Sequence, residues 1–194
     1  ALVRKVEREE KRELPPQLYD LTSLQRDANR RLGFTADKTL KTAQSLYEKW
    51  KAITYPRTDS RYLPMDMIGR ARLTLTKLPG EYQPFVENIP WRDGKLPVSK
   101  RTFDNAKVSD HHAIIPTPQT APTDKLPQDE KRLFDMIARR TIAAFYPAHE
   151  YDQIRVTTDC ESEAFGSVGR AVRIGGWKAL YGGEDEKEPT LPDL

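Results

Sequence analysis

A chain of 194 residues with 37% apolar and 31% charged side chains can bury a modest core and leaves a highly charged surface. No apolar run approaches the roughly 20 residues that a membrane-spanning helix needs. The single cysteine, Cys160, can form neither an internal disulfide nor a cysteine-type metal site, which fits a reducing cytoplasm. The net charge is only +3, but residues 1–64 carry 14 Lys/Arg against 9 Asp/Glu, while the last eleven residues carry five acids against Lys187. A basic half followed by an acidic tail suits an anionic partner.

In chain order, residues 1–13 alternate weakly and predict an edge strand or a frayed end, closed by Pro15-Pro16. Thr22 and Gln25 have capping-box spacing and predict a helix with Leu24, Ala28 and Leu32 on one side, ending at Gly33. Thr35 caps a second helix with Leu40, Ala43, Tyr47 and Trp50 at helical spacing. Arg26, Arg30, Arg31, Lys38 and Lys41 decorate this hairpin. Pro64 opens a helix through about Lys77 with Ile68, Ala71 and Leu75 inward. Residues 79–97 read as irregular, and a short helix is expected around 99–106. A long helix follows from about Gln128 to Phe145, with Leu133, Ile137 and Phe145 along one stripe. The period then changes to two, predicting a strand through Tyr151–Thr157 and further strands at 164–168 and 171–174. The fold class is α+β and mainly helical, with β segments at both ends of a helical block. Residues beyond 182 read as a disordered acidic tail.

The chemistry concentrates in residues 53–64, ITYPRTDSRYLP. Pro56 pushes Tyr55 out of the helical region, and in extended chain positions i and i+2 face the same way. Tyr55 and Arg57 then project together, a phenol beside a guanidinium that can grip phosphate oxygens in bidentate fashion. A free phenol has a pKa of about 10, so only about 0.1% is ionised at neutral pH and attack on phosphorus needs a positive environment or a base. Arg57 and a histidine can supply the first; no base is evident. Tyrosine attack on a phosphodiester yields another phosphodiester, so the strand can be resealed without a nucleotide cofactor. Set against this, a lone Tyr-Pro-Arg is most simply a strand tyrosine with a surface charge.

The longer string resembles the active-site signature of the type IA DNA topoisomerases, particularly the bacterial topoisomerase III group. PPQLYDLTSLQRDANRRLGFTADKTLKTAQSLYE (15–48) resembles the entry to that family's tyrosine domain, and SDHHAIIPT (109–117) its histidine motif. The resemblance implies that Tyr55 forms a 5′-phosphotyrosyl bond with one DNA strand, leaving a free 3′ hydroxyl, before strand passage and resealing without ATP. It makes Arg57 the holder of the scissile phosphate and His111 a contact near the break, with His112 its neighbour. Thr58, Asp59 and Ser60 match the motif as DNA contacts or as holders of the loop. Lys38 and Lys41 could track a phosphate backbone.

The family also uses an acidic domain that binds magnesium. Glu7, Glu9, Glu10 and Glu13 form a charge run rather than such a cluster, so Mg2+ is expected outside this chain and no metal ligand is assigned within it. The chain begins at Ala1 and reads as a piece of a longer polypeptide, inactive alone. The expected domains are a β segment of the arch (1–19), a helical tyrosine-bearing domain (20–147), further arch β segments (148–182) and the tail (183–194). The partners expected are single-stranded DNA and the acidic domain of the same polypeptide, with no membrane, in a bacterial cytoplasm at the nucleoid. A non-catalytic single-stranded-DNA binding module is the alternative. Tyr47, Trp50 and Tyr62 read as core rather than base-stacking residues, Trp91 and Trp177 as packing residues, and His149 has no assigned role.

Overall fold

The computed structural model describes residues 2–119, 123–161 and 163–182; the expected acidic tail lies outside them. The elements in chain order are β1 (Leu2–Glu13), α1 (Leu21–Leu32), α2 (Ala36–Glu48), α3 (Ile68–Lys77), α4 (Gln83–Glu87), α5 (Gln128–Ala143), β2 (His149–Cys160) and β3 (Glu163–Ile174). Short 3-10 turns fill several of the connections. The architecture is α+β. The chain divides into two compact units, one of residues 16–146 and one formed by residues 1–15 with 147–194.

The second of these units is a three-stranded antiparallel sheet in the order β1-β2-β3. Val6 pairs with Val156 and Val156 with Ser167, which sets the register. The two strands expected at 164–168 and 171–174 are one continuous strand. Gly169 is buried and pairs with Ile154 across the ladder, so the expected break is absent. β1 is almost wholly exposed and is held by opposite charges across the ladder. Arg12 meets Glu150 at 3.3 Å, and Arg8 bonds the buried Asp152. Beyond β3 the chain turns back at Gly176, whose φ of 52° places it in the left-handed region. His149 Nδ1 hydrogen-bonds the Gly175 carbonyl nearby.

In the helical unit, α1 begins one cap earlier than Thr22–Gln25 would place it. Asp20 is the N-cap and accepts from Ser23 N at 2.7 Å, with the Ser23 side chain completing the box. A carboxylate is the stronger acceptor, and Arg61 Nε fixes it at 2.9 Å. Burial opposes ionisation of Asp20, but the bonds from Ser23 and Arg61 prevail and hold its carboxyl below the ordinary value. Gly33 (φ 69°) ends α1 in the left-handed conformation that only glycine adopts freely.

α2 is capped by Thr35, yet its buried row is Thr39, Thr42, Ala43 and Leu46, and Leu40 and Tyr47 are half-buried. Thr39 can occupy the core because its hydroxyl donates to Thr35 O at 2.9 Å. Leu24, Ala28, Ala43, Leu46, Leu133 and Ile137 are fully buried and form the heart of the unit. Across it, Arg140 of α5 pairs with Asp27 of α1, which also accepts from the Tyr19 hydroxyl at 3.0 Å. The Arg140 guanidinium lies 4.2 Å above the Tyr19 ring.

Two loop expectations change. Within 79–97 the chain forms α4, docked by Tyr82, whose hydroxyl donates to Asp135 of α5 at 3.1 Å. The helix expected at 99–106 is a turn and a 3-10 segment, Asn105–Lys107. Phe103 bridges in parallel to Leu63, which keeps the chain extended there.

A Cβ at Gly176 would stand 2.3 Å from Ala148 O. Gly176→Ala is therefore expected to cost about 2–4 kcal/mol, from left-handed backbone strain plus the clash. Urea unfolding followed by circular dichroism reads this, and a parent-like midpoint would show that the turn relaxes.

Candidate active site

Tyr55 sits on a short extended segment between α2 and α3, pinned to the segment 109–117. Ile53 bridges antiparallel to Pro116. Thr54 N donates to Ile115 O at 2.9 Å, and Thr54 Oγ1 accepts from Ile115 N at 3.0 Å while donating to Ala113 O at 3.1 Å. Four residues on, Thr58 Oγ1 donates to His111 O at 3.2 Å and accepts from Ser60 N at 3.1 Å. Ser60 Oγ donates to Lys107 O at 2.9 Å. The same loop is tied to the helical core by Leu21 N donating to Thr58 O, and Ile114 N to Tyr19 O.

This lacing brings the two motifs together. The Tyr55 and His111 rings lie 4.3 Å apart between centroids, tilted by 43°. Tyr47 meets the Tyr55 ring edge-on at 5.5 Å. Tyr55 is half-buried and Pro56 buried, and Arg57 is exposed two residues on. Tyr55 also lines a cleft of about 400 Å³ with Tyr47, Lys51, Arg70, His112 and Thr117 among its walls.

Thr58 and Ser60, considered above as DNA contacts, are 7% and 5% exposed with their hydroxyls committed to backbone. Their place is inside the loop rather than on a nucleic-acid surface. Asp59 is exposed and accepts from Ser109 Oγ at 3.4 Å. Lys38 pairs with Asp129 at 2.8 Å, and Lys41 with Asp37 at 2.8 Å, so both ammonium groups are met by carboxylates. Lys38 is also nine residues before Tyr47, about 13 Å along the helix at 1.5 Å per residue. The cations that face Tyr55's cleft are instead Lys51 and Arg70, which sequence reasoning missed. Lys51 follows the end of α2 and Arg70 lies on α3. The one available signal was proximity: Lys51 precedes Tyr55 by four residues.

His112 is half-buried and its Nδ1 lies 2.8 Å from Ala113 O. A carbonyl only accepts, so Nδ1 carries the proton there. Burial depresses the His112 pKa below its ordinary value, and the Arg70 guanidinium and His111 add to this; the Ala113 bond and Asp66 oppose it.

The family model described as DNA topoisomerase matches residues 1–194. The fold is shared with a solved structure. Full-length topoisomerase I from Thermotoga maritima superposes with a TM-score of 0.70 at 22% identity, over 100% of this chain and 31% of that one. The chain belongs to the DNA topoisomerase family. It is 41% identical over 202 residues to DNA topoisomerase 3 of Bacillus subtilis (strain 168), covering 100% of this chain and 28% of the relative. It is 38% identical over 196 residues to DNA topoisomerase 3 of Bacillus cereus (strain ATCC 14579), covering 100% and 26%. The chain therefore spans just over a quarter of the length of these relatives. No helix among the described residues is long and apolar enough to cross a membrane.

Among the described residues, no three His, Cys, Asp or Glu side chains converge on a point where a metal ion could sit. Near Tyr55, Asp59 is exposed and bonded to Ser109, and Asp66 is exposed. These residues do not fit a magnesium ion.

Two outcomes follow from this geometry. Thr58→Val removes one donor and one acceptor of the lacing and is expected to cost about 1–3 kcal/mol, read by thermal unfolding. A loss below about 0.5 kcal/mol would show that water replaces the hydroxyl. For His112, the folded pKa lies below the unfolded value near 6.5. The neutral ring's contribution is complete above that value and is lost as pH falls through it toward the folded pKa. His112→Gln is expected to flatten this part of the stability profile between pH 7 and 5; an unchanged slope would assign it to other groups.

Proposed function

We propose that Tyr55 is the nucleophile of a type IA topoisomerase, acting on single-stranded DNA. The observation that carries this reading is the Tyr55–His111 ring contact at 4.3 Å, made on a loop that four side-chain hydroxyls hold or brace. The Tyr55 phenolic oxygen attacks the backbone phosphorus. A phosphorus–Oη bond forms as the phosphorus–O3′ bond breaks; the phenol gives up its proton and the departing 3′ oxygen takes one up, so none is consumed overall. The 5′-phosphotyrosyl diester keeps its bond energy, so after strand passage the 3′ oxygen reverses the exchange without ATP. Arg57 grips the scissile phosphate from the exposed side of the loop, and its fork geometry suits two non-bridging oxygens. His111 contacts the DNA beside Tyr55, whose ring its own already touches.

In this reading residues 16–146 are the tyrosine-bearing domain, and the sheet of β1, β2 and β3 belongs to the arch that carries it. The acidic domain of the same polypeptide, which would hold the magnesium, is a partner of this region outside the present chain. A bacterial cytoplasm is the compartment implied.

The test uses the protein at its full natural length, magnesium and end-labelled single-stranded DNA, trapping covalent adducts with detergent. Tyr55→Phe is expected to abolish labelling, and Arg57→Ala to reduce it by about 100-fold, the scale for loss of a transition-state donor. Label on the Tyr55→Phe protein equal to that on the parent would overturn the assignment.

A further inference from the structure

The cleft beside Tyr55 has a composition that the attack step leaves unused. Its volume of about 400 Å³ falls within the range of small-ligand sites. Two of its wall residues, Lys51 and Arg70, are exposed cations that form no ion pair with a carboxylate among the described residues. Lys38 and Lys41 on the same helical hairpin are both neutralised by aspartates. A guanidinium and an ammonium that meet no carboxylate among the described residues flank one concavity and create a local positive potential; its wall of Tyr47 and Tyr55 is aromatic, and the Lys51 ammonium lies 5.8 Å from the centre of the Tyr47 ring.

Lys51 is held there at a cost. Its φ of 53° is left-handed, a conformation that disfavours side-chain-bearing residues by roughly 1–2 kcal/mol. Thr117 Oγ1 donates to the Lys51 carbonyl, Ala52 N donates to Leu46 O at 2.9 Å, and Thr117 N to Ala52 O at 2.9 Å. These three bonds fix the tight turn that ends α2 and bring Lys51 to the wall shared with Tyr55. Arg70 comes from α3, on the other side of the Tyr55 loop in sequence.

We infer that this cleft is a non-covalent holding site for the 5′-phosphoryl strand, the nucleotides on the tyrosine side of the break, with Lys51 and Arg70 on their backbone phosphates. The inference rests on the reading of Tyr55 as nucleophile. When phosphorus bonds to Tyr55 Oη, the sugar and next phosphate of that strand remain one nucleotide from the phenol. The cleft that the Tyr55 ring lines is where such a nucleotide can lie. The covalent bond alone leaves the attached strand free to rotate about the phenol–phosphate linkage. Two further phosphate contacts restrict that rotation and keep phosphorus facing the returning 3′ oxygen, an orientation effect on resealing. In resealing the phosphorus–O3′ bond forms, the phosphorus–Oη bond breaks and Tyr55 recovers its proton.

The test compares the full-length parent with Arg70→Gln and Lys51→Asn, the latter chosen because asparagine tolerates positive φ. Covalent adduct is first accumulated on labelled single-stranded DNA, then released to reseal, and the loss of adduct is timed. Each variant is expected to form adduct within about threefold of the parent but to reseal about tenfold more slowly, the scale of one lost charged hydrogen bond. Binding of the unreacted oligonucleotide is expected to lose about 0.7 from its salt slope for each contact removed. Parent-like resealing in both variants, with circular dichroism showing both folded, overturns the holding site and leaves the nucleophile assignment standing. If Tyr55→Phe still forms adduct, the nucleophile assignment itself falls, and the holding site with it.

Discussion

The Thr54 hydroxyl accepts from Ile115 N and donates to Ala113 O while Thr54 N reaches Ile115 O, so one residue makes three bonds to a segment about 60 positions away. Thr58 repeats the device at His111 O, and Ser60 at Lys107 O. Neither segment is a regular strand, and their backbone groups would otherwise be partly buried without partners, at about 1–3 kcal/mol each. The hydroxyls meet that need and, in doing so, set the distance between Tyr55 and His111. The geometry of the site depends on this pairing of two loops.

The loops are in turn anchored to the helical core. Tyr19 pairs with Ile114 through its backbone, while its hydroxyl and ring engage Asp27 and Arg140. Asp20, next in sequence, caps α1 and binds Arg61 from the end of the Tyr55 loop. Buried charge is costly unless it is paired and hydrogen-bonded. Here each carboxylate has a guanidinium and at least one hydroxyl, which gives the residues before α1 a defined position against both loops. The site therefore stands on α1 and α5 as much as on its own segment.

The sequence was most legible where local rules act alone. Gly33 as a left-handed stop and Thr35 as a cap are local effects, and both appear as read. Legibility failed where a distant partner competes. Asp20 displaced Thr22 as the cap because Arg61, some 40 residues on, fixes its carboxylate. Residues 99–106 did not become a helix because Phe103 bridges to Leu63. The apolar stripe of α2 was misplaced by one position because Thr39 can satisfy its hydroxyl on Thr35 O, and the helix rotates Tyr47 to the edge, where it meets Tyr55. Of the hairpin lysines, Lys41 has its aspartate at helical i,i+4 spacing, a pairing the sequence displays, whereas Lys38 meets Asp129 of α5, a partner no local rule supplies.

By itself the sequence determined the family and supplied the candidate residues of the site. Tyr55, Arg57 and His111 stand in short motifs, and Pro56 imposes an extended backbone through sterics that need no tertiary context. The tertiary structure alone decided which side chains share a space with Tyr55. Hydrogen bonds between loops 60 residues apart place the His111 ring on it, withdraw Thr58 and Ser60 into the interior, and make Lys51 and Arg70 its neighbouring cations. The physical reason is range. Dihedral preference acts within a few residues, whereas a cleft is assembled from segments whose proximity exists only once the core has closed.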